Sequence, residues 1–193
     1  MPTLSTFTPR SDVLSSAGRA AHDVGAAALL GGNLFARVAM HPALREVGKA
    51  RERGKVTNRA WRRYGAVNAL GLAAVLAGWG AARADEARPS QLSGRERKLA
   101  RAKDAAVAAV ALTGVASAIE GMRFNAAEPG GAVPLKDGDT ASDKATPREA
   151  RMKRALHAIG TVNLASEVAL VAINSSLAQA NFRRPPLRRL LRR

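Results

Sequence analysis

The sequence predicts an all-α fold, a four-helix transmembrane bundle with basic connectors and a basic C-terminal tail. Three observations carry this. Residues 64–82 run for 19 positions without a charge, and of the 28 residues between Arg154 and Arg183 only Glu167 is charged; blocks of this length match the ~20 residues a helix needs to cross a bilayer. The Lys and Arg residues flank these blocks instead of lining one face of a polar helix, which suits connectors that meet lipid headgroups. The 47% of apolar residues are largely Ala, Val and Leu, with only 4% aromatics, a poor supply for a soluble core. The mean hydropathy of −0.13 averages apolar blocks with Arg-rich connectors.

Helix 1 is expected over about 20–40. Thr8-Pro9 offers a start, with Thr as cap and Pro at the first helical position, and Pro42 predicts a stop by His41. Only 13 residues separate Asp23 from Arg37, so this block crosses only if both charges reach the headgroup layers. Residues 42–63, with eight Lys/Arg and two glycines, read as a connector, and Thr57 as the cap of helix 2 at about 64–82. Trp61, Tyr64 and Trp79 sit where interfacial aromatics belong.

Ser93-Gly94-Arg95-Glu96 has the form of a capping box. It opens helix 3 outside the membrane, with the apolar part at about 104–122. Residues 125–146, rich in Pro, Gly and acid and without periodicity, read as a mobile loop; Asp137-Gly138-Asp139 is too short for a calcium loop. Thr146-Pro147-Arg148-Glu149 is a second capping box, and helix 4 follows with its apolar part at about 156–178. The tail 183–193 adds six arginines.

Small residues recur every fourth position in helix 2 (Gly65, Ala69, Ala73, Ala77, Ala81) and in helix 3 (Ala105, Ala109, Thr113, Ser117, Gly121), the pattern that lets helices approach in lipid. The chain also echoes itself. Gly65-Ala66-Val67-Asn68 resembles Gly160-Thr161-Val162-Asn163, and Asp23 and Asp104 each open an Ala-rich block, as a duplicated helix pair would. His22-Asp23-Val24-Gly25 resembles His157-Ala158-Ile159-Gly160 instead, which would match helix 1 with helix 4.

At ~1.5 Å per residue, Glu167 falls at the midplane, with Arg37 and Glu120 about 10 Å toward the side of the 42–63 connector. Asn33, Asn68 and Asn163 lie at intermediate depth on that side. A midplane carboxylate is costly in lipid and must face other helices or a wet cavity. Two readings of this cluster follow: a proton or ion relay or polar substrate cavity with Glu167 titrating and Arg37 as counter-charge, or structural pairing of Arg37 with Glu120 or Glu167 while the asparagines bond across helices.

The functional expectation is a small integral membrane protein with a structural or partner-binding role and no enzymatic one. A small transporter or proton-coupled channel using Glu167 is the alternative, and a soluble basic helical protein binding nucleic acid the third. The +16 net charge assigns anionic lipid headgroups as partners, contacted by Arg183, Arg184, Arg188, Arg189, Arg192 and Arg193, ahead of nucleic acid. Ala inserts only marginally, which favours a homo-oligomer or a membrane partner. With no cysteine there is no disulfide or thiolate chemistry. No catalytic motif is present, and no metal or other cofactor is expected, since His22 and His157 fall near opposite faces, too far apart to ligate one haem iron.

The first ~20 residues lack a basic segment followed by an apolar run and a cleavage site, so the first block is expected to be retained. The Arg bias, 24 against 7 Lys, suggests a GC-rich bacterial source and the cell (inner) membrane, multi-pass. Lys and Arg number 15 on each side of the expected bundle, which ties the positive-inside rule; the basic tail and partly acidic 125–146 segment favour cytoplasmic termini.

Overall fold

A computed structural model describes residues 9–85 and 87–182. Its long elements are four α-helices: α1 (Pro9–Phe35), α2 (Ala50–Ala84), α3 (Gly94–Asn125) and α4 (Pro147–Phe182). Among the described residues there is no β-strand, only an isolated bridge between Leu135 and Ala141. The helices run alternately up and down; α1 packs on α2, α3 on α4, α4 returns against α1, and α2 meets α3. Three of them, α2, α3 and α4, are long and apolar enough to cross a membrane, and no more than 22% of their apolar windows is buried inside the chain. Leu70, Leu112, Met122, Val162 and Val168 point outward. An exposed apolar surface of this extent is what lipid would cover, so the architecture is compatible with a multi-pass membrane protein.

The capping boxes predict two helix starts, and both are built. Ser93 N–H donates to Glu96 Oε2 at 2.8 Å while Glu96 N–H reaches back to Ser93 Oγ. Thr146 N–H donates to Glu149 Oε2 at 2.7 Å and Glu149 N–H to Thr146 Oγ1. Each satisfies two otherwise orphaned groups at a helix N-terminus.

Elsewhere the boundaries move. The predicted stop before Pro42 does not occur: the chain continues from α1 through a π-turn (Ala36–Met40) and a short helical piece, His41–Ala43. His41 N–H bonds Ala36 O, five residues back. The widened turn shifts the ladder just before Pro42, which has no N–H to contribute, so the helical path survives the proline. The predicted cap at Thr57 and helix start at 64 are also corrected. α2 begins at Ala50, and Thr57 lies inside it with its hydroxyl bonded to Arg53 O. Tertiary packing overrides the glycine penalty there: Gly54 lets the Val133 backbone approach so closely that a Cβ would sit 2.1 Å from Val133 O.

Residues 125–146, expected as a mobile loop, pack over one end of the bundle. Val133 and Leu135 are fully buried and cluster with Phe124, Met152 and Leu156. This end is called the loop end below. The basic tail 183–193 and its six arginines lie outside the described residues.

The small-residue stripe of helix 2 does not form the α1–α2 contact. Its members Gly65, Ala69, Ala73, Ala77 and Ala81 are exposed, and the close approach falls one face over, where Gly71 and Gly78 meet α1. A Cβ on Gly25 would lie 2.6 Å from Gly71 O, and one on Gly78 2.5 Å from Gly18 O. The main core, with Leu29, Val75, Val110 and Leu170 at its centre, decides between the two internal echoes. The step that takes Asp23 to Asp104 takes Leu29 to Val110, and the step that takes Asn68 to Asn163 takes Val75 to Leu170. The contacts follow the same pairing: Asp23 accepts from Asn174 and Asp104 from Trp79, across the two equivalent helix contacts. Helix α1 thus corresponds to α3 and α2 to α4.

Gly78→Val is expected to destabilise the fold by about 1–3 kcal/mol through overpacking, read as a lower unfolding temperature in detergent. Gly80→Val, where an added Cβ meets nothing within 4 Å, should be close to neutral; equal losses in the two variants would reject the close α1–α2 contact.

Candidate functional site

The interior holds three polar levels. At the end with the termini, Asp23 on α1 accepts from Asn174 at 3.0 Å, Asn174 in turn accepts from Lys103 at 2.5 Å, and Lys103 lies over the Trp79 ring, 4.2 Å from its centroid. Trp79 Nε1 donates to Asp104 at 2.9 Å and Arg83 pairs with the same carboxylate at 3.2 Å, tying α2 to α3. These bonds close one end of the bundle.

The middle level is built around Glu167, 2% exposed. Asn33 from α1 and Asn163, one turn before it on α4, both donate to Oε1, at 2.7 and 2.8 Å. Asn163 also accepts from the Thr113 hydroxyl of α3 at 2.6 Å. Oε2 is buried and has no partner among the described residues. Two helices thus bond one oxygen of the carboxyl, with α3 supporting Asn163, while the other oxygen is enclosed without a partner; the residue itself lies on the wall of an open space.

That space is a cavity of about 790 Å³ lined from all four helices, within the ~300–1,000 Å³ range of small-molecule sites. Leu29, Leu72, Val110 and Leu164 give it apolar walls; Asn33, Asn68 and Glu167 line its inner end. Asn68 Oδ1 is a second buried acceptor without a partner.

At the loop end stands a charged cluster. Arg37 donates to Thr161 Oγ1 at 2.8 Å, lies 3.1 Å from His157 Nδ1 and pairs with Asp139 at 3.5 Å. Trp61 Nε1 donates to His41 Nε2 at 3.2 Å, so in neutral His41 the ring proton sits on Nδ1. That atom faces Asp139 Oδ1 at 3.0 Å, set off the N–H axis. The turn presenting Asp139 is organised by Asp137, whose Oδ1 accepts from the backbones of Asp139 and Thr140 and from the Thr140 hydroxyl, while Oδ2 meets Arg45 at 3.0 Å. Burial alone would push both carboxyls up. For Asp137 the backbone donors, Thr140 and Arg45 reverse this and hold it below the usual range. For Asp139 the His41 contact and the charges of Arg37 and Lys153 bring it down to about 2.

The structure thus gathers Asn33, Asn163 and Glu167 into one bonded group and sets Asn68 and Arg37 on the same cavity wall. The structural reading expects Arg37 to pair with Glu120 or Glu167, and it pairs with neither; its partners are Asp139, His157 and Thr161. Glu120 lies outside the cavity lining, 3.6 Å from Arg123 one turn on. His41, Asp139 and Lys153 were not among the sequence candidates. The proline after His41 and the acidic Asp137-Gly138-Asp139 turn were the available signals, but nothing local shows that the turn folds back onto the histidine. Among the described residues, no three His, Asp or Glu side chains are grouped to hold a metal ion.

Compared with known proteins, the chain matches no family model, no curated protein and no solved structure.

The depressed Asp139 pKa sets a pH dependence. Its anionic contacts stabilise the fold fully above the ordinary carboxylate value near 4 and are lost as pH falls from there through about 2. The unfolding temperature should therefore drop across that window, and Asp139→Asn should flatten the drop; an unchanged slope in the variant would place the contacts' stabilisation elsewhere.

Proposed function

We propose that the chain is a four-span, non-enzymatic protein of the cell (inner) membrane, with both termini cytoplasmic, whose interior cavity binds a small ligand through Glu167. The fourth span would be α1. Its register against α4 supports this, because Asp23 joins Asn174 at one polar level and the long Arg37 side chain reaches His157 at the other. Asn174 and His157 lie 17 residues apart on α4, or roughly 25 Å at ~1.5 Å per residue, near the ~30 Å thickness of a hydrocarbon core.

The observation that carries the ligand reading is that Glu167, a residue of the cavity wall, keeps Oε2 without a partner among the described residues. A purely structural carboxyl buried among helices would use both oxygens, since an unpaired buried polar atom costs about 1–3 kcal/mol. A carboxyl oxygen without a protein partner, on a residue that lines a cavity of ligand size, is available to a donor on a bound molecule once the side chain turns toward it, or to carry a proton itself. This supports the transporter-like alternative ahead of a merely structural role. Partner binding remains a second reading, favoured by the exposed Ala73, Ala77 and Ala81 on the outer face of α2, which would suit a homo-oligomer contact.

Two measurements test the site. Dicyclohexylcarbodiimide, an apolar reagent for protonated carboxyls, should modify Glu167 in membranes, read by mass spectrometry of its peptide; lack of modification would sink the idea of an accessible carboxyl. Glu167→Gln keeps an acceptor for the two asparagines and should unfold within a few degrees of the parent. Glu167→Leu leaves both donors unpaired and should lose about 1–3 kcal/mol.

A further inference from the structure

The opposite end of the same cavity has a charge arrangement that Glu167 does not use. Of the charged side chains lining it there, Arg37, Arg62 and Lys153 are cations and Asp139 is the one carboxylate. Asp139 is already engaged, one oxygen by His41 at 3.0 Å and the other by Arg37 at 3.5 Å. Lys153 is 7% exposed. Its ammonium lies 5.7 Å from the centroid of the Phe124 ring and has no hydrogen-bond acceptor among the described residues; Asp139 and Asp137 act on it through space. A buried ammonium without an acceptor is costly, and this one borders a cavity in which an anion would complete it. Arg37 and Arg62 stand on the same lining, and charge-assisted bonds from Arg and Lys are the usual means of holding phosphate or carboxylate.

The cavity also has a side door. α2 and α3 are tied at the far end through Asp104, but on the loop half the cavity-lining Gly65 and Ala69 of α2 are exposed. So are the cavity-lining Val115 and Met122 of α3, at 51% and 65%. The two helices part here, and the opening faces sideways, along the surface that lipid would cover. Behind the opening lie the apolar walls of Leu29, Leu72, Val110 and Leu164. Cations at the loop end, an apolar trough below them and a lateral entrance form a shape that suits one chemical class.

We propose that the cavity binds an anionic amphiphile, a phosphate or carboxylate head on a hydrocarbon tail, with the head seated against Lys153 and the tail passing between α2 and α3. This rests on the cavity being a ligand site, but on residues at its other end. Asp139 and His41 are positioning groups in this arrangement: Asp139 holds Arg37 at the mouth, His41 holds Asp139, and Asp139 offsets one of the three cations, leaving two to face the anionic head.

The test uses the full chain in a non-ionic detergent, with unfolding temperature followed against increasing mole fraction of dodecyl phosphate. Inorganic phosphate and dodecyltrimethylammonium serve as separate arms. Dodecyl phosphate is expected to raise the unfolding temperature in a saturable way, and the other two to leave it unchanged. Lys153→Met removes the unpaired charge without a change of bulk and should weaken the apparent affinity about tenfold or more. Arg62→Gln, at an exposed position where a substitution is expected to cost little stability, gives a second reading if the first variant folds poorly, and a loss of affinity is expected there too. An equal shift with inorganic phosphate would overturn the role of the tail, and an equal shift with the cationic amphiphile would overturn that of the head. Unweakened binding in the variants would remove the Lys153 seat. Glu167→Gln separates the two ends: if Glu167 resists the carbodiimide while dodecyl phosphate still binds through Lys153, the acid's role fails and the head seat stands, and the converse result rejects the head seat alone.

Discussion

Everything in the bundle's interior is arranged around one carboxyl group in an apolar layer. Glu167 takes two amide donors on a single oxygen, from Asn33 across the α1–α4 contact and from Asn163 on its own helix. A carboxyl at this depth has no bulk water to solvate it, so its partners must come from the chain. Asn163 in turn leans on Thr113 of α3, and Asn33 is held in place by the tight packing of α1 on α2 through Gly25, Gly71 and Gly78. Three helices are therefore set by what one side chain requires, and the fourth, α2, encloses the cavity beside it.

The matching of the two helix pairs accounts for how the cavity is lined and where its lining is uneven. Under the pairing of α1 with α3 and α2 with α4, Asn68 matches Asn163 and Gly65 matches Gly160, and all four line the cavity. The two halves thus contribute matching positions around a shared space, as parallel repeats do about an axis along the membrane normal. The charged positions are the departures: Glu167 matches Leu72, Arg37 matches Ala118, and His41 matches Met122. In each pair one half keeps a side chain suited to packing and the other carries a polar group.

Much of the fold was legible in the sequence because its signals are local. Capping boxes act within four residues, and both predicted ones are present. Uncharged blocks of about 20 residues announce α2 and α4 by length alone. What failed did so where a distant segment decides. Thr57 reads as a cap because Gly48 and Gly54 weaken a helix locally, and only the approach of Val133 makes Gly54 useful inside it. Pro42 looked like a stop because a π-turn has no sequence signature. The asparagines and Glu167 could be placed together from depth and helical phase, whereas the Arg37 partners could not. Arg37 reaches Asp139, from a segment with no periodicity, only because Asp137 folds the turn and Gly138 N–H bonds His41 O.

That turn gives the two ends of the cavity different characters. At the far end, Lys103 has Asn174 as acceptor and the Trp79 ring beneath it, and Asp104 has Trp79 and Arg83; the charges there are bonded to one another and draw α2 and α3 together. At the loop end, Asp139 brings the one carboxylate of that end of the lining among the described residues and is taken up by His41 and Arg37; among these residues Lys153 is buried without an acceptor, and no comparable link closes α2 onto α3. Lys153 stands on α4, so its missing acceptor and the missing tie between α2 and α3 are separate features of this end. Their effect is joint: a desolvated cation, costly to leave alone, lines the same cavity whose flank is open between the two helices.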